Sequence, residues 1–477
     1  MKILILGIDG LGVESLKGMG LLKLASFLER GQLVNPKIDN PVSRGWPEIY
    51  SGTSAYQSGA FYQIPVLKGG KIRATQKTGL NVVKAHVGDE KLLWAQLKKQ
   101  GYKTGLYTIP TVLSKEDNCE FVFPATGAGQ FKLSSDDTPI FPANLAGLAN
   151  YSKSNLGFRI GRGAFVPKSA SELEAWLRDH LSQYFSTLKW SLERVNVDAL
   201  IAVSPFVKLY YKFRHIYENE VSDVEDVKLK AVLKKAAEDF DTEIINFIEY
   251  CSPEHTFIVS DHGLGELKYQ VSVNEALREL GYIDYRSGIN NLVINTAKKI
   301  RDKVKRRYSS YFPIFDLDNS MAFSIGYTDT IYINDARFNG PEMCEEKRYE
   351  LASKISKELA ELTSSKGIEQ FLEFKAIKSS GWTDPVENNS DPIPLPDIRC
   401  VLAEGCVNLQ RTNGNVVEKN EPYYAVEMYK KGFFAEHSGC KTNDTIAAYI
   451  GSDRKPFKPQ SLTDLYIEIL RVAGSTS

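Results

Sequence analysis

The chain has 477 residues, 43% of them hydrophobic, and its 59 basic residues (Lys and Arg) equal its 59 acidic residues in number. This is the composition of a globular protein, and the balanced charge argues against a surface dedicated to nucleic acid, though not against a nucleotide substrate. The sequence has no apolar stretch near the roughly 20 residues of a membrane span, no signal-peptide pattern and no disulfide framework among its six cysteines, so we expect a soluble, cytoplasmic protein.

The first predicted element is a strand over residues 3–8, a short, continuously apolar run that ends at Asp9 and Gly10. Such runs are typical of strands buried on both faces of a parallel sheet. An Asp at the end of a buried strand can project its carboxylate into a cleft, although it can also simply cap a turn. The glycines here run G-x-x-G-x-G, which is not the G-x-G-x-x-G order of a dinucleotide-binding loop.

The loop over residues 41–52 is the next segment that could carry chemistry. It places Ser43 beside Arg44, before a predicted helix. These residues offer a nucleophile, a guanidinium that can bind phosphate, and free N–H groups at the start of the helix. Without metal ligands nearby, the same segment would be an ordinary turn.

A helix and a strand are predicted after this loop. Residues 90–100 place leucines at helical spacing, Gly101 ends the helix, and residues 103–109 are predicted to form the next strand. The following segment, 110–190, is rich in Gly, Pro, Ser and Asn, and we expect it to be a cap-like insertion over the active-site face rather than an independent domain.

Two further strands are predicted at residues 197–203 and 255–260, the second preceded by a helical pattern near 226–250. Helices alternating with buried strands predict the α/β class, with a central, mostly parallel sheet flanked by helices. We expect the chain, 1–477, to form a single elaborated domain of this kind with cap-like insertions.

Asp261 and His262 follow the strand at 255–260 directly. Chemistry in open α/β sheets gathers beyond the carboxyl ends of the strands, and Asp9 also stands at such an end. A carboxylate and an imidazole suit zinc, manganese or other divalent ions of intermediate softness. An isolated Asp-His pair is weak evidence, but with Asp9 it predicts a three-ligand metal site.

A second insertion is expected at about residues 287–320. It contains a basic helical run at 298–308. This run is interpreted first as a solvated helix face, and alternatively as a contact for an anionic lipid or polymer.

Taken in order, the motifs Asp9-Gly10, Ser51-Gly52 and Ser260-Asp261-His262-Gly263 resemble the alkaline phosphatase superfamily. The type I phosphodiesterase/nucleotide pyrophosphatase branch is the most similar. The segment 258–265, followed by 274–282, is the most specific match, and the resemblance extends from residue 1 to about residue 451.

The resemblance implies a hydrolase that acts on a small phosphate ester or a related anion. Members of the family use two metal ions, usually zinc, and a Ser or Thr nucleophile that attacks phosphorus. It implies that Asp9, Asp261 and His262 hold one metal, with zinc expected first and manganese or magnesium as alternatives. Ser43 is the candidate nucleophile, although an ungapped match places the family position on Val42.

The second metal site of the family is not matched in this sequence. Val207 and Tyr211 stand at two of its ligand positions, and Lys441 stands at the third. His437 and His215 are near enough in sequence to substitute as ligands. Alternatively, Lys441 could supply positive charge where the second ion would lie and stabilise a developing oxyanion.

Two functional hypotheses follow for this chain. The first is a metal-dependent hydrolase or transferase acting on a phosphate ester through Ser43, with Arg44 binding the substrate and one or two divalent ions bound. The second is a non-catalytic relative whose remaining site binds a metal or an anion for scaffolding or regulation. An unrelated nucleotide-binding protein would require Asp9 to lie far from His262.

Overall fold

A computed structural model describes most of the chain. The described residues are 1–38, 45–61, 63–68, 71–76, 80–112, 116–124, 141–142, 145, 169–285, 315–316, 319–326, 328–338, 340–382, 393–408, 414–420, 439–451 and 456–474. Among the predicted site residues, Ser43, Arg44 and His437 lie outside these ranges, and so does the basic run 298–308.

The strands are short, as in most α/β proteins. In chain order they are β1 Ile3–Ile8, β2 Gln32–Val34, β3 Ile64–Lys68, β4 Lys71–Gln76, β5 Thr104–Tyr107, β6 Phe121–Phe123, β7 Ala199–Ser204, β8 His255–Val259, β9 Gly263–Glu266, β10 Tyr269–Val271, β11 Asp284–Tyr285, β12 Phe315–Asp316, β13 Ala322–Ser324, β14 Thr330–Ile333, β15 Leu372–Ala376, β16 Ile398–Leu402, β17 Cys406–Asn408, β18 Val417–Lys419, β19 Gly439–Thr442 and β20 Ala447–Gly451.

The helices range from one turn to 28 residues. In chain order they are α1 Val13–Gly18, α2 Leu22–Glu29, α3 Gly45–Ser51, α4 Ala55–Ser58, α5 Leu80–Val87, α6 Leu93–Lys99, α7 Ala170–Arg194, α8 Lys208–Glu218, α9 Val224–Cys251, α10 Val273–Glu279, α11 Glu345–Ser365 and α12 Leu462–Gly474, with single 3₁₀ turns at Asp89–Lys91, Ala336–Phe338 and Glu369–Phe371. None of the described helices is long and apolar enough to cross a membrane.

The described chain forms two compact units. The first comprises Met1–Ser54, Val87–Glu266 and Glu421–Ser477, and the second comprises Ala55–His86 and Leu267–Asn420. A seven-stranded sheet in the order β2-β20-β8-β1-β7-β5-β6 lies in the first unit. A four-stranded antiparallel sheet in the order β13-β14-β16-β15 lies in the second.

The seven-stranded sheet is mostly parallel, as the sequence predicted. Strands β8, β1, β7, β5 and β6 are parallel neighbours, and β20 pairs antiparallel with both β8 and β2. Every residue of β1, β7 and β8 is buried. This is why these strands read as continuous apolar runs instead of alternating patterns.

Two long helices, α7 and α9, contribute buried residues to the same core as this sheet. Each begins at a side-chain cap, because Ser169 accepts a hydrogen bond from the backbone N–H of Glu172, and Asp223 accepts from that of Glu225. Helix α9 was predicted near 226–250. Helix α7 was not, although residues 170–190 of it fall within the predicted insertion 110–190.

Two leucines of the first unit, one in a strand and one in a helix, form a matched pair that tests this burial. Leu200 in β7 is fully buried, whereas Leu22 in α2 is 76% exposed. We expect Leu200→Ala to lower the free energy of unfolding by about 2–5 kcal/mol, because it removes buried methyl groups and leaves a cavity. Leu22→Ala should change it by less than about 0.5 kcal/mol. Urea unfolding followed by circular dichroism measures both, and equal losses would contradict the assigned core.

Candidate metal centre

Three buried side chains form a cluster at the carboxyl ends of two adjacent parallel strands. Asp9 follows β1, while Asp261 and His262 follow β8, and the strands pair with Gly7 opposite Val259. One ligand atom from each of the three residues lies within 4.8 Å of the others. The parallel register therefore joins residues about 250 positions apart in sequence, and we call this set the carboxylate–imidazole cluster.

The spacing within the carboxylate–imidazole cluster fits a divalent metal ion. Nε2 of His262 lies 3.6 Å from Oδ1 of Asp9 and 3.4 Å from Oδ2 of Asp261. Zinc binds nitrogen and oxygen at roughly 2.0–2.2 Å, so two ligands of a tetrahedral ion stand about 3.4 Å apart. The side chains already have the separation that such an ion requires.

The hydrogen bonding of His262 also suits a metal ligand. Its Nδ1 lies 2.8 Å from the backbone carbonyl oxygen of Gly263, to which only an N–H can donate. This bond leaves the lone pair of Nε2 directed at the two carboxylates, which is the tautomer that metal-binding histidines adopt. A lone pair facing carboxylate oxygens is unfavourable unless a proton or a cation lies between them.

Two buried oxygens in the carboxylate–imidazole cluster lack hydrogen bonds. Oδ1 of Asp9 and Oδ1 of Asp261 have no hydrogen-bond partner among the described residues. Buried polar groups are normally satisfied, and an unsatisfied carboxylate oxygen is costly. A cation bound beside Nε2 of His262 would satisfy Oδ1 of Asp9, which faces that nitrogen.

The charges around the cluster shift its pKa values in opposite directions. Burial alone would raise the pKa of Asp9, but the ammonium of Lys208 brings it below its ordinary value. Burial, followed by the negative charge of Asp9, raises the pKa of Asp261 to about 8. Burial, followed by the positive charge of Lys441, lowers the pKa of His262 to about 3. At neutral pH the metal-free cluster thus holds one proton on its carboxylates and a neutral imidazole.

Lys208 is a site residue that the sequence analysis missed. Its Nζ lies 2.6 Å from Oδ2 of Asp9, the carboxylate oxygen that does not face His262. Lys208 begins α8, four residues after the end of β7. The available signal was its position after a strand that pairs with β1, but only the sheet order reveals that pairing.

Lys441 lies on β19, which pairs antiparallel with β9 and places Lys441 opposite Leu264. Because β9 begins directly after His262, this pairing brings Lys441 to the carboxylate–imidazole cluster. Its positive charge acts to lower the pKa of each of the three ligands, although burial and Asp9 outweigh it at Asp261. Lys441 therefore acts electrostatically on all three predicted metal ligands.

The described residues supply little of the second metal site that the sequence analysis considered. Val207 is fully buried and packs in the core of the first unit, so it contributes no ligand. The backbones of Tyr211 and His215 belong to α8, but their side chains lie outside the described set. Ser43, Arg44 and His437 lie outside the described residues altogether.

Close backbone contacts hold the loops around the cluster. A Cβ added to Gly263 would lie 1.8 Å from the carbonyl oxygen of Asp444, so only glycine fits there. A Cβ added to Gly45 would lie 2.8 Å from the carbonyl oxygen of Asp261. Helix α3, which begins at Gly45, thus packs directly against a residue of the carboxylate–imidazole cluster.

No protein-family model matches the chain, and no curated protein matches it. Solved structures do. Murine ectonucleotide pyrophosphatase/phosphodiesterase 5 matches at 12% identity with a TM-score of 0.45, covering 99% of this chain and 95% of that one. Phosphonoacetate hydrolase from Sinorhizobium meliloti matches at 13% identity with a TM-score of 0.49, covering 99% and 96%.

The alkaline phosphatase PafA also matches, at 13% identity with a TM-score of 0.46, covering 97% of this chain and 94% of that one. An alkaline phosphatase is thus among the solved structures that this chain matches. With TM-scores below 0.5, these likenesses carry no assignment of activity.

The raised pKa of Asp261 gives metal binding a pH dependence. A divalent ion needs the carboxylate, so below about pH 8 it must displace a proton from Asp261. We expect the apparent affinity for Zn²⁺ to fall about tenfold per pH unit as the pH is lowered from about 8 to about 6. His262 adds nothing in this range, because its pKa is about 3. Calorimetric titration across the range measures the slope, and a flat profile would contradict the assignment.

Substitution of a ligand provides a second test of the cluster. Asp261→Asn should weaken Zn²⁺ binding by more than the 10- to 100-fold that loss of an outer partner typically causes, because it removes a direct ligand. Asp239→Asn is the matched control, since Asp239 lies on α9 and pairs with Lys235 at the surface. Metal content of the purified variants reports the result, and equal content in both would exclude Asp261 as a ligand.

Proposed function

We propose that the protein is a divalent-metal-dependent hydrolase that acts on a phosphate ester. The observation that carries the proposal is the carboxylate–imidazole cluster, with ligand spacing suited to a metal, two unsatisfied buried oxygens and a neutral imidazole. We propose zinc as the ion, because one nitrogen and two oxygen ligands suit it, with manganese or magnesium as alternatives. We also propose that the protein acts in the cytoplasm.

Ser43 is proposed as the nucleophile. It precedes Gly45 by two residues, and Gly45 packs against Asp261. Consecutive Cα atoms are roughly 3.8 Å apart, so the chain length allows Ser43 to reach the carboxylate–imidazole cluster. A bound divalent ion would polarise a phosphoryl oxygen and favour the ionised form of a nearby hydroxyl.

In the proposed reaction, Oγ of Ser43 loses its proton and forms a bond to phosphorus while the bond from phosphorus to the leaving oxygen breaks, and the leaving oxygen takes up a proton and departs as the alcohol. Water then hydrolyses the phosphoserine and releases phosphate. Arg44 is proposed to bind substrate oxygens through its guanidinium, and Lys441 to stabilise negative charge as it develops. His437 remains a candidate additional metal ligand.

A second candidate function is a non-catalytic member of the same fold that binds a metal or an anion. Two observations favour it. Val207, at a position where the family carries a ligand, packs in the core, and Oδ2 of Asp9 is already paired with Lys208. Such a protein would bind metal but show no turnover.

Replacement of the nucleophile distinguishes the two functions. Ser43→Ala should lower turnover at least about a thousandfold, because the attacking oxygen is removed, while metal content stays unchanged. Ser186→Ala, an exposed serine on α7, is the control. The assay is a panel of phosphomonoester, phosphodiester and sulfate ester substrates with metal analysis of each variant.

Turnover by the wild type that Ser43→Ala preserves would reject Ser43 as the nucleophile. Bound metal with no turnover of any ester by the wild type would favour the non-catalytic function.

A further inference from the structure

Lys208 lies between the buried carboxylate–imidazole cluster and the solvent. Its Nζ lies 2.6 Å from Oδ2 of Asp9, which is buried, while the Lys208 side chain is 47% exposed. A lysine ammonium has three N–H donors, and Asp9 engages one side of it. The exposed side leaves donor capacity for a ligand that enters from solvent.

The fold fixes this position. Strands β1 and β7 pair in parallel with Ile8 opposite Ser204, and the backbone N–H of Asp9 donates to the carbonyl oxygen of Ser204 at 3.0 Å. Phe206 and Val207, which follow β7, are fully buried. The segment that leads from β7 to Lys208 is therefore anchored where it presents Lys208 to Asp9.

Among the described residues, the charges of the site balance once both carboxylates are ionised, as a bound divalent ion requires. Asp9 and Asp261 contribute two carboxylates, and Lys208 and Lys441 contribute two ammonium groups. One divalent ion therefore leaves two positive charges in excess, which suits an anionic ester. A second divalent ion would double this excess, and Lys208 already pairs with Oδ2 of Asp9.

We propose that Lys208 is a built-in cation that takes the place of a second metal ion, limits the site to one divalent ion and binds the anionic group of the substrate. This inference rests on the proposed metal-dependent ester hydrolysis. The site would then hold one metal ion, with Lys208 paired to the metal ligand Asp9. Within the described residues, the carboxylate–imidazole cluster is the single group of acidic, His and Cys side chains close enough to hold a metal.

Removal of the Lys208 ammonium should have opposite effects on the binding of Zn²⁺ and of inorganic phosphate. Lys208→Ala removes an ammonium that repels a dication and competes for Asp9, so Zn²⁺ should bind about tenfold more tightly, the scale on which outer partners act on metal sites. The same change removes a donor to the anion, so inorganic phosphate should bind the Zn²⁺-loaded protein about tenfold more weakly. A purely structural role would weaken both ligands together.

The experiment uses the full chain and three variants. Lys208→Arg keeps the charge and should change both affinities less than Lys208→Ala does. Lys228→Ala removes an equal charge from the surface of α9, where Lys228 pairs with Glu225, and should behave as wild type. Calorimetry gives the stoichiometry and affinity for Zn²⁺ and then for inorganic phosphate, and thermal unfolding shows that each variant folds.

The wild type should bind one Zn²⁺ per chain. Two ions per chain, or a Lys208→Ala variant with unchanged or jointly weakened affinities, would overturn the role of Lys208. Absence of Zn²⁺ binding by the wild type would overturn both this role and the proposed function. Zn²⁺ binding without ester turnover would reject the proposed hydrolase alone, because the opposite shifts for Zn²⁺ and phosphate would still support Lys208.

Discussion

The parallel register of β1 with β7 on one side and β8 on the other is the constraint on which the site depends. It aligns the carboxyl ends of three buried strands, and each end carries a residue of the site: Asp9 after β1, Lys208 after β7, and Asp261 with His262 after β8. A strand shifted by two residues would move its site residue by about 7 Å, more than the whole span of the cluster. The hydrophobic core that fixes the strand register therefore also fixes the positions of the site residues.

Charge burial then decides what the site can do. Two carboxylates in a buried cluster repel each other, and the low polarity around them penalises ionisation, so one of them keeps a proton until a cation arrives. Lys208 and Lys441 supply fixed positive charge nearby, but neither donates a hydrogen bond to Oδ1 of Asp9 or Oδ1 of Asp261. The site is therefore an anionic cluster whose charge is partly neutralised and whose unsatisfied carboxylate oxygens can bind a divalent ion.

The second unit shows how the same chain treats buried charges that have a structural role. Arg337 and Arg348 each pair with both Asp335 and Asp397, at 2.6–3.4 Å, and all four side chains are at most 7% exposed. Arg337 also donates to the carbonyl oxygens of Gly381 and Leu395. There, two cations compensate two anions. Oδ1 of Asp397 also lacks a hydrogen bond, but it lies 3.0 Å from Nε of Arg348, so its charge is compensated within the protein.

The sequence by itself determined the elements whose signal is local. The apolar run 3–8, the strand before Asp261 and the long helix α9 were predicted because burial imposes continuous or helical hydrophobic patterns on them, and the mostly parallel α/β class followed from their alternation. Asp9, Asp261 and His262 could be grouped because ligand-type residues stood at two strand ends. Lys208 could not be found this way, because a lysine at the start of a helix is ordinary, and only the pairing of β1 with β7 brings it within 2.6 Å of Asp9. Likewise, the position of Lys441 opposite Leu264 arises from a strand pair nearly 180 residues apart. Tertiary structure decided both, since long-range strand pairing leaves no periodic trace in either segment.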